Sequence, residues 1–170
     1  CTRSGGARPR VAHMIVIADT TPLNYLILID LPGLLSALFE RVIIPQAVLH
    51  ELQAQQAPDK VRDWITHPPS WLSVQQVRQQ DGTLAHLDPG EREVLTLAQE
   101  LQADLLLLDE RLGRQEARTR GFSIAGTLGL LDRAGTLQLI DVPTAVSRLR
   151  QTNFRVAPRL LNALLDRYTP

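Results

Sequence analysis

At 170 residues the chain is long enough for one domain with a real core, and an apolar fraction of 44 per cent excludes a disordered polymer. Eighteen basic and eighteen acidic side chains cancel to a formal charge of zero, so the overall field does not recruit nucleic acid. Any such contact is local or is helped by bound cations. No apolar run approaches the roughly 18 residues of a membrane span. Cys1 is the single cysteine, which rules out an internal disulfide and points to a cytoplasmic life.

The opening CTRSGGARPRVAH is polar, basic and glycine-rich, with neither an apolar core nor a helical period. Residues 1–13 read as a disordered leader, vector-derived or an over-extended reading frame, with Met14 as the natural start. Residues 14–170 read as one domain. In MIVIADTTP an apolar run from Met14 to Ala18 stops at Asp19, Thr20, Thr21 and Pro22, the pattern of a buried strand closed by a turn. Pro22–Asp30 and Pro32–Phe39 read as short helices split by Pro32–Gly33. Val42–Ile44 is β-branched and strand-like. Pro45 suits the first turn of a helix that runs to about Gln56. A segment around Val61–Ile65 carries Trp64 and ends at Pro68–Pro69, Trp71–Val74 reads as a short strand, and Gln75–Thr83 as a loop or frayed helix.

A clear helix start follows, with Asp88 at the N-cap, Pro89 at the first helical position and Glu91 at the capping-box spacing. Val94, Leu95, Ala98 and Leu101 form its apolar stripe. Leu105–Leu108 is a second apolar run that ends in an aspartate, Asp109. Arg111–Arg120 is a basic helix closed by Gly121. Phe122–Ile124 reads as a strand, Gly126–Arg133 as a Leu-rich helix, and Leu137–Ile140 as a last strand. Pro143–Arg150 and Val156–Tyr168 read as two C-terminal helices. Strands alternating with helices in this order give an α/β sandwich with a mainly parallel sheet.

Four carboxylates stand out. Asp19 and Asp109 each close an apolar strand, and in open α/β sheets the ligand crevice lies beyond the carboxyl ends of the strands. Glu51 shares a helix face with Ala47 and Val48, and Glu91 prolongs the stripe of Val94 and Leu95. Acids on buried stripes need capping, pairing or a bound cation. Each also has a plainer reading: Asp19 and Asp109 as N-caps, Glu91 as a capping-box residue, Glu51 as a partly exposed helix acid. If all four converge, a divalent cation offsets their repulsion, and oxygen ligands without His or Cys suit Mg²⁺ or Mn²⁺. The chemistry that follows is hydrolysis of a phosphate ester, most plausibly in nucleic acid.

These segments together resemble the PIN domain, and more narrowly its VapC-like toxin ribonucleases. IVIADTTPLNYL is similar to the family's first strand with its terminal acid. IIPQAVLHEL resembles the segment ending in the second acid, Glu51. LDPGEREVLTLAQE resembles a variant in which a GE pair supplies the third, Glu91. LLLLDERLGRQEARTRGFSIAGTLGLL resembles the strand carrying the fourth acid, Asp109, with its basic helix and GTLG turn, while GTLQLID and TNFRVAPRLLNALL resemble a C-terminal extension, from about residue 143, of one subgroup.

The resemblance implies a three-layer α/β/α sandwich and single-stranded RNA as substrate. It also implies a homodimer, an antitoxin as partner, and products with a 5′-phosphate and a 3′-hydroxyl. On it, Asp19, Glu51, Glu91 and Asp109 are the catalytic set. Asp19, Glu91 and Asp109 hold Mg²⁺ or Mn²⁺, and Glu51 orients water or joins a second ion. Thr20 positions a water or ligand, and Arg111, Arg114 and Arg118, on one helix face, contact RNA phosphates. Arg111–Arg118 also reads as a solvated face paired with Glu110 or Glu116. Two departures stand against the pattern: Glu91 is longer than the aspartate of many relatives, and Glu110 should face away from Asp109, which weighs against a second tightly bound ion. Two rival functions remain, an aspartyl-nucleophile phosphatase, which lacks its second acid because Thr21 holds that place, and a non-catalytic PIN-like interaction or scaffold protein.

Overall fold

The computed structural model describes residues 13–170. The reading of residues 1–13 as a leader therefore falls, apart from His13, outside the described residues. Five short strands, β1 (Val16–Ala18), β2 (Val42–Pro45), β3 (Leu72–Gln75), β4 (Leu105–Leu107) and β5 (Ile124–Ala125), form one sheet in the order β3-β2-β1-β4-β5. Every pairing is parallel, with Ile17 opposite Ile43 and Ala18 opposite Leu107. Val16, Ile17 and Ala18 are wholly buried, as expected of the central strand of a parallel sheet covered on both faces. Helices α1 (Thr20–Leu28), α2 (Leu34–Phe39), α3 (Gln46–Gln53), α4 (Asp59–Thr66), α5 (Pro89–Leu101), α6 (Arg111–Thr119) and α7 (Thr127–Thr136) complete a three-layer α/β/α sandwich. Two further helices, α8 (Val142–Arg150) and α9 (Pro158–Asp166), make the C-terminal extension.

The strand order positions the site. From β1 the chain winds outward through β2 to β3, then returns to lay β4 against the other edge of β1. The order in which strands are added reverses between β1 and β4, the switch point beyond whose carboxyl ends ligands bind in open α/β sheets. Asp19 and Asp109 follow those ends, and the Asp19 N–H donates to the Leu107 carbonyl at 3.0 Å, which fixes the first acid against the second strand.

Several boundaries differ from the sequence reading. Leu137–Ile140 is not a strand. Gln138 takes φ 57°, its N–H reaches the Gly135 carbonyl at 2.9 Å, and the Leu139 N–H reaches Ala134 at 2.9 Å. Those paired bonds are a Schellman cap on α7, which consumes the groups a sixth strand would need and leaves Leu137 and Leu139 exposed. Pro45 is not inside α3 but is its N-cap and the last residue of β2, opposite Gln75. Helix α3 stops at Gln53, short of Gln56. Gln75, expected to open a loop or frayed helix, is the last residue of β3, and the segment after it is a loop that leads into a single 3-10 turn at Gly82–Leu84.

The extension is tied down at three places. Val142 and Tyr168 press on Gly135, where an added Cβ would overlap Val142 Cγ2 and stand 2.7 and 2.8 Å from the Tyr168 ring. The Tyr168 hydroxyl donates to Asp132, whose carboxylate also pairs with Arg167. Phe154 meets Tyr25 edge-to-face at 4.9 Å, and the Tyr25 hydroxyl donates to Asn153 Oδ1 at 2.9 Å. No helix among the described residues is long and apolar enough to cross a membrane.

Candidate acidic site

Asp88 caps α5 by accepting the Glu91 N–H at 2.8 Å, and Pro89 occupies the first turn. The cap fixes the direction in which Glu91 leaves the helix. Its side chain turns inward and packs on Gly113 of α6, where a Cβ would lie in van der Waals contact, 3.4 Å from Glu91 Cγ and Cδ. Glu91 is 5 per cent exposed and Asp19 3 per cent, so two acids are buried at the head of the sheet. Glu51 arrives from α3, half-buried, and accepts hydrogen bonds from the Thr20 hydroxyl and the Gly90 N–H.

Gly90 is the pivot of this arrangement. A Cβ at that position would stand 2.6 Å from Glu51 Oε1 and 3.0 Å from Asp19 Oδ1. The two carboxylates therefore converge on the start of α5, and only a glycine leaves room for both.

Electrostatics show that the acids act on one another. Burial pushes the Asp19 carboxyl well above the usual carboxylate range; the Thr20 N–H opposes this, and the charges of Asp88, Glu51 and Glu91 add to it. Glu51 is raised by burial and by Asp88, against the hydrogen bonds from Thr20 and Gly90. Glu91 is pushed up to about 7 by burial, by the charge of Asp88 and a hydrogen bond with it, and by Glu110 and Glu51. None of the charges acting on these three acids is positive.

Asp109 is held differently. Both its oxygens accept from Thr127, Oδ1 from the N–H at 2.8 Å and Oδ2 from the hydroxyl at 2.6 Å, so it fastens the start of α7 to the end of β4. Gly126 permits this, since a Cβ there would lie 2.7 Å from both Asp109 Oδ1 and Arg114 Nη1. The structure thus brings Asp19, Glu51 and Glu91 within reach of one another's charge, while Asp109, at the end of the neighbouring strand β4, has its lone pairs engaged by Thr127 and is not among the charges acting on them. Asp88 and Glu110 join the field without having been singled out as site residues. Glu110, expected to face away, is near enough to raise Glu91. The DPGE run carried the signal for Gly90 and Asp88; nothing local marked Gly113 or Glu110.

Of the three arginines, Arg111 and Arg118 are exposed and make no ion pair among the described residues. Arg114 is half-buried, and its Nη1 donates to the Leu108 carbonyl at 2.9 Å. Glu116 pairs with Arg120 at 2.8 Å rather than with the three. Tyr25 also borders the site, its hydroxyl made harder to ionise by burial and by the charges of Asp109 and Glu110.

Among the described residues no three His, Cys, Asp or Glu side chains form a ready-made metal cage. The donor chemistry nevertheless suits a hard divalent cation: carboxylate oxygens without His or Cys, two of the acids buried, and a basic neighbour, Arg114, only beside Asp109. No curated protein matches the chain. A family model described as DUF3368: PIN domain matches residues 15–169, from the strand that precedes Asp19 to the end of the helical extension. The chain belongs to the PIN-domain family.

Proposed function

We propose that this protein is a divalent-metal-dependent endoribonuclease that cleaves single-stranded RNA, and that it is the VapC-like toxin of a toxin–antitoxin pair. The observation that carries the reading is the pair of buried acids, Asp19 and Glu91, pushed up by burial and by the charges of Asp88 and Glu51, at the switch point of a PIN fold. Asp19, Glu91 and Asp109, with Glu51 beside them, are the residues that would hold Mg²⁺ or Mn²⁺. Such an ion supplies a Lewis acid for the phosphodiester and acidifies the attacking water. Glu51, beside the three ligands, would orient that water or join a second ion. The Thr20 hydroxyl and the Gly90 N–H orient Glu51. Arg111 and Arg118 offer exposed charge to the RNA backbone, and Arg114 lines the approach to Asp109. A homodimer and a cognate antitoxin belong to the same proposal.

One observation favours a non-catalytic, partner-binding reading: Asp109 spends both oxygens on Thr127 instead of leaving them open. A single experiment separates the two. A fluorophore-labelled single-stranded RNA is incubated with the wild type and with Asp19→Asn, in Mn²⁺, Mg²⁺ or EDTA, with circular dichroism as the check on folding. The expected result is metal-dependent cleavage that falls by about 10²-fold or more in the folded variant. Equal cleavage by the two proteins, or none by the wild type with either ion, rejects the hydrolase.

A further inference from the structure

Of the four acids, Asp109 also lines a separate cleft. Beyond Asp109 and Arg114 this cleft of ≈ 590 Å³ runs between α7 and the C-terminal extension. Its walls are apolar, built from Leu128 on α7, Phe154 in the segment joining α8 to α9, and Leu160 on α9, with Arg167 at the far rim. That volume is of the size that takes a small organic ligand, and its lining combines apolar surface with two guanidinium groups and two carboxylates, Arg167 being paired with Asp132. Phe154 is backed edge-on by Tyr25, which holds the ring in place beside the acidic site.

Charge is distributed to match. The whole chain is neutral, yet from Val142 onward it carries five arginines, Arg148, Arg150, Arg155, Arg159 and Arg167, against one acid, Asp166. Arg155 and Arg159 are exposed next to the cleft-forming residues Phe154 and Leu160, and neither forms an ion pair among the described residues. An apolar-walled cleft that reaches Asp109 at one end and has the unpaired Arg155 and Arg159 beside it is complementary to an unpaired nucleotide, whose base wants a stacking face and whose phosphate wants positive charge.

We infer that the cleft between α7 and the C-terminal extension is a base-binding subsite, in which an unpaired base of the RNA next to the scissile phosphate packs on Phe154 against Leu128 and Leu160. This deepens the nuclease reading and rests on it only for the identity of the ligand. The extension is then a specificity element rather than a structural appendage: Phe154 and Leu160 come from it, while Asp109 and Arg114 come from the sandwich.

The test blocks the cleft without touching the acids. Gly129 lies on α7 at the cleft, and a Cβ there meets nothing within 4 Å, so Gly129→Leu fills the space and also favours the helix. Phe154→Leu removes the ring and keeps the bulk. Binding of fluorescein-labelled eight-nucleotide single-stranded RNAs (oligo-A, -C, -G and -U) is read by anisotropy in EDTA, where cleavage plays no part. Both variants are expected to weaken binding about 10-fold or more, and in cleavage assays to raise KM more than they lower kcat. Wild-type affinity in both variants overturns the subsite, as does a wild type that binds none of the RNAs. A dimer-to-monomer shift in Gly129→Leu with RNA affinity unchanged also overturns it, giving the cleft to a second copy of the chain. Cleft-dependent RNA binding without cleavage upholds the subsite and removes only the nuclease.

Discussion

Glu91→Gln tests whether the acids truly act on one another. Glu91 has its carboxyl moved from an ordinary 4.5 up to about 7. At about 1.4 kcal/mol per pK unit, the ceiling on the cost of ionising it in the folded protein is about 3 kcal/mol. Asp88 and Glu110, two of the charges responsible, are exposed, so solvent screens part of their effect, and about 1–2 kcal/mol is the fair expectation. The sign follows from linkage. A carboxyl whose folded pKa lies above its unfolded value keeps its proton longer in the folded state. The penalty is absent below about 4.5, grows as pH rises and is complete above about 7. Glutamine never ionises, so the variant escapes the penalty. In EDTA its Tm should exceed that of the wild type by about 2–8 °C at pH 8 and approach it at pH 5. Differential scanning calorimetry across that range is the assay. A gap of constant size at every pH, or a variant less stable at pH 8 than the wild type, refutes the picture of uncompensated charge.

Gly90→Ala should leave thermal stability within about 1 kcal/mol of the wild type, because the helix gains what moving the flexible end of Glu51 costs, yet cut RNA cleavage about 10²-fold; full activity would show that the Glu51–Asp19 approach is irrelevant. Mn²⁺ at a hundred times its Kd should stabilise by about 2.7 kcal/mol, more at pH 8 than at pH 5 since the ligands must be ionised, and an equal Tm rise in Asp19→Asn would place the ion elsewhere. Gly135→Ala, which drives a methyl into Val142 and the Tyr168 ring, should cost about 1–3 kcal/mol and expose the extension to trypsin, and an unchanged digestion pattern would argue that the extension is not seated there.

Most of the architecture was legible because its elements carry local signals. The apolar runs at Val16–Ala18 and Leu105–Leu107 could be little but buried strands, and Asp88-Pro89 announced the start of α5 to the residue. The helix ends divide according to whether a glycine marks them. Helix α6 closes at Gly121, with φ 83° and the Phe122 N–H reaching the Ala117 carbonyl at 2.9 Å, and its end was read within one residue. Helices α1 and α7 close by the same bond pattern but with Asp30 and Gln138 in the left-handed position, at φ 63° and 57°. A side chain with a Cβ pays a little strain there and sends no signal. The alternation of Leu137, Gln138 and Leu139 consequently reads as a strand, whereas Gln138 is a cap flanked by two exposed leucines.

The site was legible one acid at a time, and its grouping was not. Strand ends and helix stripes identify Asp19, Glu51, Glu91 and Asp109, but which of them share a field depends on the sheet order and on what lies between them. Gly90 and Gly113 are what lies between: each is a missing side chain at the point where a carboxylate from another element passes. A sequence displays the acids and is silent about the space reserved for them. The same logic separates Asp109 from the rest, since Gly126 admits its carboxylate to the head of α7 and Thr127 takes both oxygens. Three acids are left repelling one another while the fourth is braced. An ion that bound here would have to draw Asp109 from Thr127 or accept Glu51 in its place, and Thr127→Val distinguishes the two. If Asp109 is the ligand, losing the competing hydroxyl tightens Mn²⁺ binding; if Glu51 serves instead, affinity stays as it was and only the start of α7 is weakened.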